Sequence, residues 1–321
     1  MYFPFQKGRY EVAPGLLPLT QDFGNGAWDQ RLFQIGDDFQ GFRSQFDDNR
    51  AKEAVQKYVI LSESADAQAV GTISAFILKK VAEENQVEMK VNDLSTDLEF
   101  QSAFTHERFK VNALANSVQV LEGKVRFENA WDASGAQVPE DLAIWKLNAD
   151  GSEEIEALHL NAPNHWAAQD KIGRSFANVH APVGHIDKII PWAVRILNGI
   201  IKSGPYVRFA WGVGTDRRLN HHPIPPPGVP DHSWGGRRFD PTHPKLYARV
   251  ERQVLWGFPE LNRALFSIRT YFHDVEDLKH THPQAVKGLK EAIASMSPES
   301  LIYKGLVNDR DAVIAYLDRL F

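Results

Sequence analysis

The run Arg249, Val250, Glu251, Arg252 and Gln253 constrains this chain more than any other stretch. It sets charged side chains inside what reads as a β-strand, flanked by Leu246, Tyr247 and Ala248 and by Val254, Leu255 and Trp256. A tight turn at Gly257, Phe258, Pro259 and Glu260 leads to a second strand from Ala264 to Phe272. An aromatic, β-branched hairpin of this kind fills a core, where an unpaired charge is very costly. The arginines and the glutamate therefore pair with one another or face an anionic ligand. Strand alternation puts Leu246, Ala248, Val250, Arg252, Val254 and Trp256 on one face. Tyr247, Arg249, Glu251, Gln253 and Leu255 take the other face. The first face is otherwise apolar, so Arg252 is a charge on the core side, either bridged internally to a glutamate or clamping a carboxylate.

A chain of 321 residues suffices for one large domain or two ordinary ones. A formal net charge of −5 offers no global basic field for nucleic acid. No apolar run reaches the length of a membrane span, and the N-terminus lacks the pattern of a signal peptide, so a cytoplasmic protein is expected. The absence of cysteine excludes disulfides, a cysteine nucleophile, zinc fingers, thiolate-ligated haem and any cysteine-ligated iron–sulfur cluster in this chain. Redox chemistry here would need its iron–sulfur relay on another chain. Histidines are then the main supply of nitrogen ligands.

Helical spacing runs from about Asp48 to Asn85, with Ala51, Ala54, Val55, Tyr58 and Val59 in one set and a second helix over Ala65–Glu84. Strands are expected at Ser117–Leu121, Lys124–Phe127, Ala143–Leu147 and Ile155–Leu160, with a hairpin turn at Asn148–Gly151. A short helix is expected at Trp166–Gly173, and Asp187 is placed to cap a helix over Lys188–Lys202. Another strand follows from Tyr206 to Val213. Residues 216–244 form a long loop of the kind that is functional or disordered, and a helical tail runs from Val275 to Phe321. The pattern indicates an α+β fold, a mostly antiparallel sheet with an inserted helix and flanking helical segments. The expected division is a wrapping and helical region at 1–115, a core at 116–274 and a helical tail at 275–321.

Two further elements bear on chemistry. Val179, His180, Ala181, Pro182 and Val183 set a histidine on a turn-like segment, where one ring nitrogen could face a metal while a carbonyl fixes the other; a satisfied structural histidine is the alternative. The long loop carries His221, His222, His232 and His243, whose spacing fits no standard zinc motif. There is no phosphate-binding glycine loop, HExxH, GxSxG or GxGxxG motif.

Several ordered segments resemble one family, the haem-dependent oxidative N-demethylase α-subunit-like proteins. Tyr2 to Phe5 and Gly15 to Leu19 begin the resemblance, and Pro139 to Leu142 is similar to the family's Q-E-D-L. Trp166, Lys171 to Gly173 and Val179 to Val183 resemble W…K-x-G…I-H-x-P-V-P. Arg208 to Trp211 resembles R-x-N-W, Arg249 to Leu255 resembles R-x-E-R-Q-T-L, and Phe266 to Tyr271 resembles F-x-I-R-T-Y.

The resemblance implies a PAS-like haem-binding core and one non-covalent haem b. It implies oxidation of a small secondary amine such as dimethylamine by molecular oxygen, releasing formaldehyde. Electrons would come from NADPH through a separate reductase carrying FMN and a 2Fe-2S cluster. His180 would be the iron ligand, with His185 as rival. Arg252 would face a propionate or the distal pocket, and Glu251 would hold Arg249 or the substrate ammonium; Arg249, Arg208 and Trp211 complete the expected cofactor site. Because a regular strand sends Arg249 and Arg252 to opposite faces, one of them reaches the pocket, and Arg252 is the expected one.

The departures are Gly184 for a proline, Leu160 to His165 for a segment containing Cys-Phe-Pro-Ser, Ala210 for Asn and Val254 for Thr. They remove polar groups from expected pocket positions. Alternatives are a haem sensor without turnover and a non-haem metal hydrolase built on the histidine-rich loop.

Overall fold

The computed structural model describes residues 2–94, 97–235 and 238–321. Met1, and Gly236 and Arg237 of the expected long loop, lie outside the described residues. Along the chain come β1 (Leu17–Pro18), α1 (Phe39–Lys52), β2 (Val59–Leu61) and α2 (Ala67–Glu84). Four strands follow: β3 (Met89–Leu94), β4 (Asp97–Ser102), β5 (Glu107–Asn112) and β6 (Ser117–Glu122). Then come α3 (Ala130–Gly135), β7 (Asp141–Leu147), β8 (Glu153–His159), α4 (Phe176–His180), α5 (Ala193–Ser203), β9 (Tyr206–Gly214) and α6 (Asp231–Trp234). The hairpin β10 (Tyr247–Phe258) and β11 (Arg263–Asp274) leads into α7 (Val275–Thr281), α8 (Pro283–Ala294), α9 (Pro298–Tyr303) and α10 (Arg310–Arg319). The architecture is α+β.

One antiparallel sheet has the order β1-β9-β10-β11-β7-β8-β2, and a second has the order β3-β4-β5-β6. Both faces of the first sheet are covered, so the long hairpin β10–β11 carries buried side chains on each side. A main core lies between this sheet, α2 and the second sheet, and a separate cluster joins Phe3, Phe5, Leu246, Ala248 and Val250 to the C-terminal helices. The expected helical tail is four helices, α7–α10. Among the described residues no helix is long and apolar enough to cross a membrane.

The second helix is α2: Asp66 accepts from the N–H of Gln68 and Ala69, and Val70, Ile73, Ile77, Leu78 and Val81 are buried. The helical spacing through Val59 does not persist, because the backbone turns extended at Glu53 and Val59 pairs with His159 of β8. A short apolar run looks the same in a helix and in a buried strand. Lys124–Phe127 forms no strand but leads to α3, whose Asn129 cap accepts from the N–H of Asp132. The helix expected from Lys188 starts only at Ala193, since Pro191 sits in a preceding 3₁₀ turn, and Asp187 lies inside an earlier one. Only Ala168–Asp170 of Trp166–Gly173 is helical, as one 3₁₀ turn. The strands β3–β5 were not expected, and residue 115 lies in the turn that joins β5 to β6.

α5 crosses β10 at Gly257, where an added Cβ would collide with the carbonyls of Ile200 and Ile201. Gly257→Ala should therefore destabilise the protein by about 1–3 kcal/mol through overpacking. A urea melt with an unmoved midpoint would contradict this contact.

Candidate functional site

A cavity of about 1320 Å³ lies against the face of the large sheet on the α4–α5 side. This exceeds the ~300–1,000 Å³ of ordinary small-molecule pockets. Register decides which side chains enter it. Arg249, Glu251 and Gln253 of β10 stand beside Gly212, Ala210 and Arg208 of β9, and all six line the cavity.

Arg252 takes the opposite face, and the expectation that it reaches the pocket is corrected. Its guanidinium donates to the carbonyls of Asp29 (2.8 Å) and Arg31 (2.7 Å), behind the sheet. The apolar neighbours of Arg252 mark the face packed against protein; the cavity-facing side is the one that carries Arg249, Glu251 and Gln253. Val254 shares the Arg252 face and is fully buried, so its lack of a hydroxyl changes the core, whereas Ala210 does border the cavity.

The cavity wall is rich in cations. Arg249 pairs with Glu251 and donates to Thr270 Oγ1 (2.9 Å) and to the carbonyl of Ala162 (3.2 Å). Gln253 also donates to Glu251, at 2.9 Å. Burial pushes the Glu251 carboxyl up, but Arg249, Lys304 and the Gln253 hydrogen bond together hold it below the usual range. Lys304 donates to the carbonyl of Trp211 at 2.6 Å, and burial brings its ammonium down to about 8 against the opposing pull of Glu251. Arg208 reaches the carbonyl of Ala13 at 3.4 Å. Among the described residues, the buried Nε–H groups of Arg208 and Arg249 have no acceptor. Trp211 borders the cavity with its ring edge-on to Phe5 and Tyr10.

His180 ends α4, a short helix capped by Ser175. The Lys171 ammonium donates to the Val179 carbonyl at 2.7 Å and fixes the backbone beside it. His180 Nδ1 lies 2.9 Å from the Phe176 carbonyl, and the Phe176 ring stacks on the imidazole at 4.0 Å. A carbonyl only accepts, so Nδ1 carries the proton and Nε2 keeps its lone pair. Burial lowers the His180 pKa to about 4, with Lys171 and Arg208 adding to the effect and the Phe176 carbonyl opposing it. The imidazole is therefore neutral at pH 7, as a metal ligand must be. His185 lies apart from the cavity lining, half exposed, with Nε2 3.0 Å from Ser297 Oγ.

His180, His221 and His273 all titrate near 4 in the fold because burial disfavours their charged forms. The unfolded chain binds these protons near 6.5, so stability is full above about pH 6.5 and falls as pH drops toward about 4. A thermal melting temperature that stayed flat across that window would contradict the burial of these rings.

In the sequence His221 is one of four loop histidines, and no motif there singles out His165 or Asp216. His221 Nε2 lies 2.9 Å from Asp216 Oδ1, and the His165 ring is 5.1 Å from the His221 ring. All three line the cavity. The remaining loop histidines go elsewhere: His222 Nδ1 accepts from the Ile224 N–H, His232 sits in α6 and His243 lies beside Thr242 and Asp240. Among the described residues no group of three or more His, Asp or Glu side chains is placed to hold a metal ion.

A neutral imidazole with a bare nitrogen and a wall of partly unpaired guanidiniums together suit a large ligand that offers both a metal ion and anionic groups. A family model described as haem-dependent oxidative N-demethylase, alpha subunit-like, matches residues 55–314.

Proposed function

Since the chain belongs to the haem-dependent oxidative N-demethylase α-subunit-like family, we propose that its cavity holds one haem b and that the loaded protein demethylates a small secondary amine. The observation that carries this reading is His180: a neutral imidazole, its tautomer set by the Phe176 carbonyl so that Nε2 carries the lone pair, at the wall of a cavity of about 1320 Å³. With no cysteine in the chain, the haem is held without thioether or thiolate bonds. We read the seven-stranded sheet with α4 and α5 laid over the cavity as the PAS-like core.

His180 would hold the iron, and its Nδ1–H···O=C contact keeps the ring oriented and raises its donor strength. Arg208 and Arg249 line the cavity, and the positive charge of their guanidiniums would offset that of the propionates. When bound, the haem supplies the activation of dioxygen and the electron transfer that turn one N-methyl group into formaldehyde. Glu251, saturated by Arg249 and Gln253, keeps those two side chains in place on the wall. Electrons reach the site from NADPH through a partner reductase carrying FMN and a 2Fe-2S cluster.

The test is release of formaldehyde from dimethylamine by the haem-loaded protein. Release that requires both NADPH and the reductase supports the reading. A protein that binds haem but releases none with any small secondary amine is a binder or sensor instead.

A further inference from the structure

One stretch of the cavity wall is a single strap of chain. Residues 9–16 all border the cavity and form no helix or strand. Both ends of the strap are fixed. Before it, Phe3 and Phe5 are buried against the C-terminal helices; after it, Leu17 and Pro18 pair with Val207 and Tyr206 of β9. Between these anchors burial alternates: Arg9, Glu11, Ala13 and Gly15 are exposed, whereas Tyr10, Val12, Pro14 and Leu16 are half-buried. The strap thus has the cavity on one side and solvent on the other, and the wall there is one chain thick.

Alternation of this kind belongs to a strand, yet the strap has no ladder. Among the described residues its backbone makes two bonds to the rest of the protein: the Tyr10 N–H donates to Ser295 Oγ (2.9 Å), and the Ala13 carbonyl accepts from Arg208 (3.4 Å). A segment with few buried contacts and a backbone left to solvent opens at a small fraction of the cost of global unfolding. Tyr10 is the residue that resists opening. Its ring stands edge-on to Trp211, with centroids 5.7 Å apart. The Lys304 ammonium, held on the Trp211 carbonyl, lies 5.8 Å from the centre of the same ring.

We propose that residues 9–16 are the entry strap of the cavity, latched by Tyr10, which swings out to admit a ligand and closes behind it. Such a gate is needed whatever ligand fills the cavity, so it stands apart from the demethylase reading.

Because the chain has no cysteine, a single introduced thiol reports on the strap. Ala210 borders the cavity, and Ala157 is fully buried in the main core. Haem-free protein carrying Ala210→Cys is reacted with a maleimide, with Tyr10 intact and with Tyr10→Ala or Tyr10→Phe; Ala157→Cys in the same backgrounds reports general loosening of the fold. With Tyr10 intact, the thiol introduced by Ala210→Cys should react far more slowly than the same thiol unfolded in urea. Tyr10→Ala should speed it about tenfold, the combined worth of an edge-on ring pair and a cation–π contact. Tyr10→Phe keeps the ring and should match the intact strap, and the thiol introduced by Ala157→Cys should be indifferent to all three. A cavity thiol that reacts as fast in the folded protein as in urea would overturn the proposal, because the cavity would then be open without any gate. So would a rate unmoved by Tyr10→Ala, a Tyr10→Phe rate as high as that of Tyr10→Ala, or an equal acceleration at position 157. Every rate is read without haem, so failure of haem to bind defeats the demethylase reading and leaves the strap standing.

Discussion

His180→Ala should lower haem affinity at least about 100-fold and remove the Soret band of protein purified with limiting haem. That bound takes the upper end of what loss of a single orienting contact costs a metal site, since here the proposed ligand itself is lost. The fold should survive, because the side chain ends a short helix at the cavity wall and the lost Nδ1 contact is worth about 1 kcal/mol. Added imidazole should fill the space and restore the band. His185→Ala should leave the spectrum unchanged, because that ring sits half exposed against Ser297, apart from the cavity lining. A band that survives His180→Ala and disappears with His185→Ala would reverse the ligand assignment.

Arg249→Met should cost about 3–5 kcal/mol in urea unfolding, the usual penalty for leaving a buried charge without its partner. Arg249 is buried, with Glu251, Thr270 Oγ1 and the Ala162 carbonyl around it, and its loss strands both Glu251 and that carbonyl. Lys304 offers partial compensation, since it also favours the Glu251 carboxylate. The double change Arg249→Met with Glu251→Gln should recover part of the loss by removing the stranded charge. A cost below about 1 kcal/mol, typical of an exposed pair, would show that this pair does not hold the cavity wall together.

The alternation rule assigned the residues of β10 to two faces correctly, and the charge problem it raised was real. It could not say which face was the ligand face, because both are buried and solvent exposure no longer separates them. Arg252 is satisfied by two backbone carbonyls of the 29–31 segment, a contact across more than 200 residues that no local pattern contains. The carbonyl partner expected for one ring nitrogen of His180 is that of Phe176, one helical turn away.

The Asp216–His221–His165 group was illegible for the opposite reason. Its members come from two distant segments joined by an isolated bridge between Asn164 and His221. Two separate signals touch it: the histidine-rich loop that holds His221, and the departures between Leu160 and His165, which read as lost polarity although the segment brings a histidine into the cavity. The strands β3–β5 escaped notice although Leu98, Phe100, Phe109 and Val111 alternate in them, since the strong helix before them drew the pattern.

Whether this cavity binds one haem through His180 is decided by titrating haem into the haem-free protein, followed in the Soret region and then reduced with dithionite. The expected outcome is saturation at one haem per chain, a b-type reduced spectrum, and haem that acid–organic extraction removes from the chain. No Soret band after reconstitution, or haem uptake that never saturates and is unaffected by His180→Ala, would contradict it.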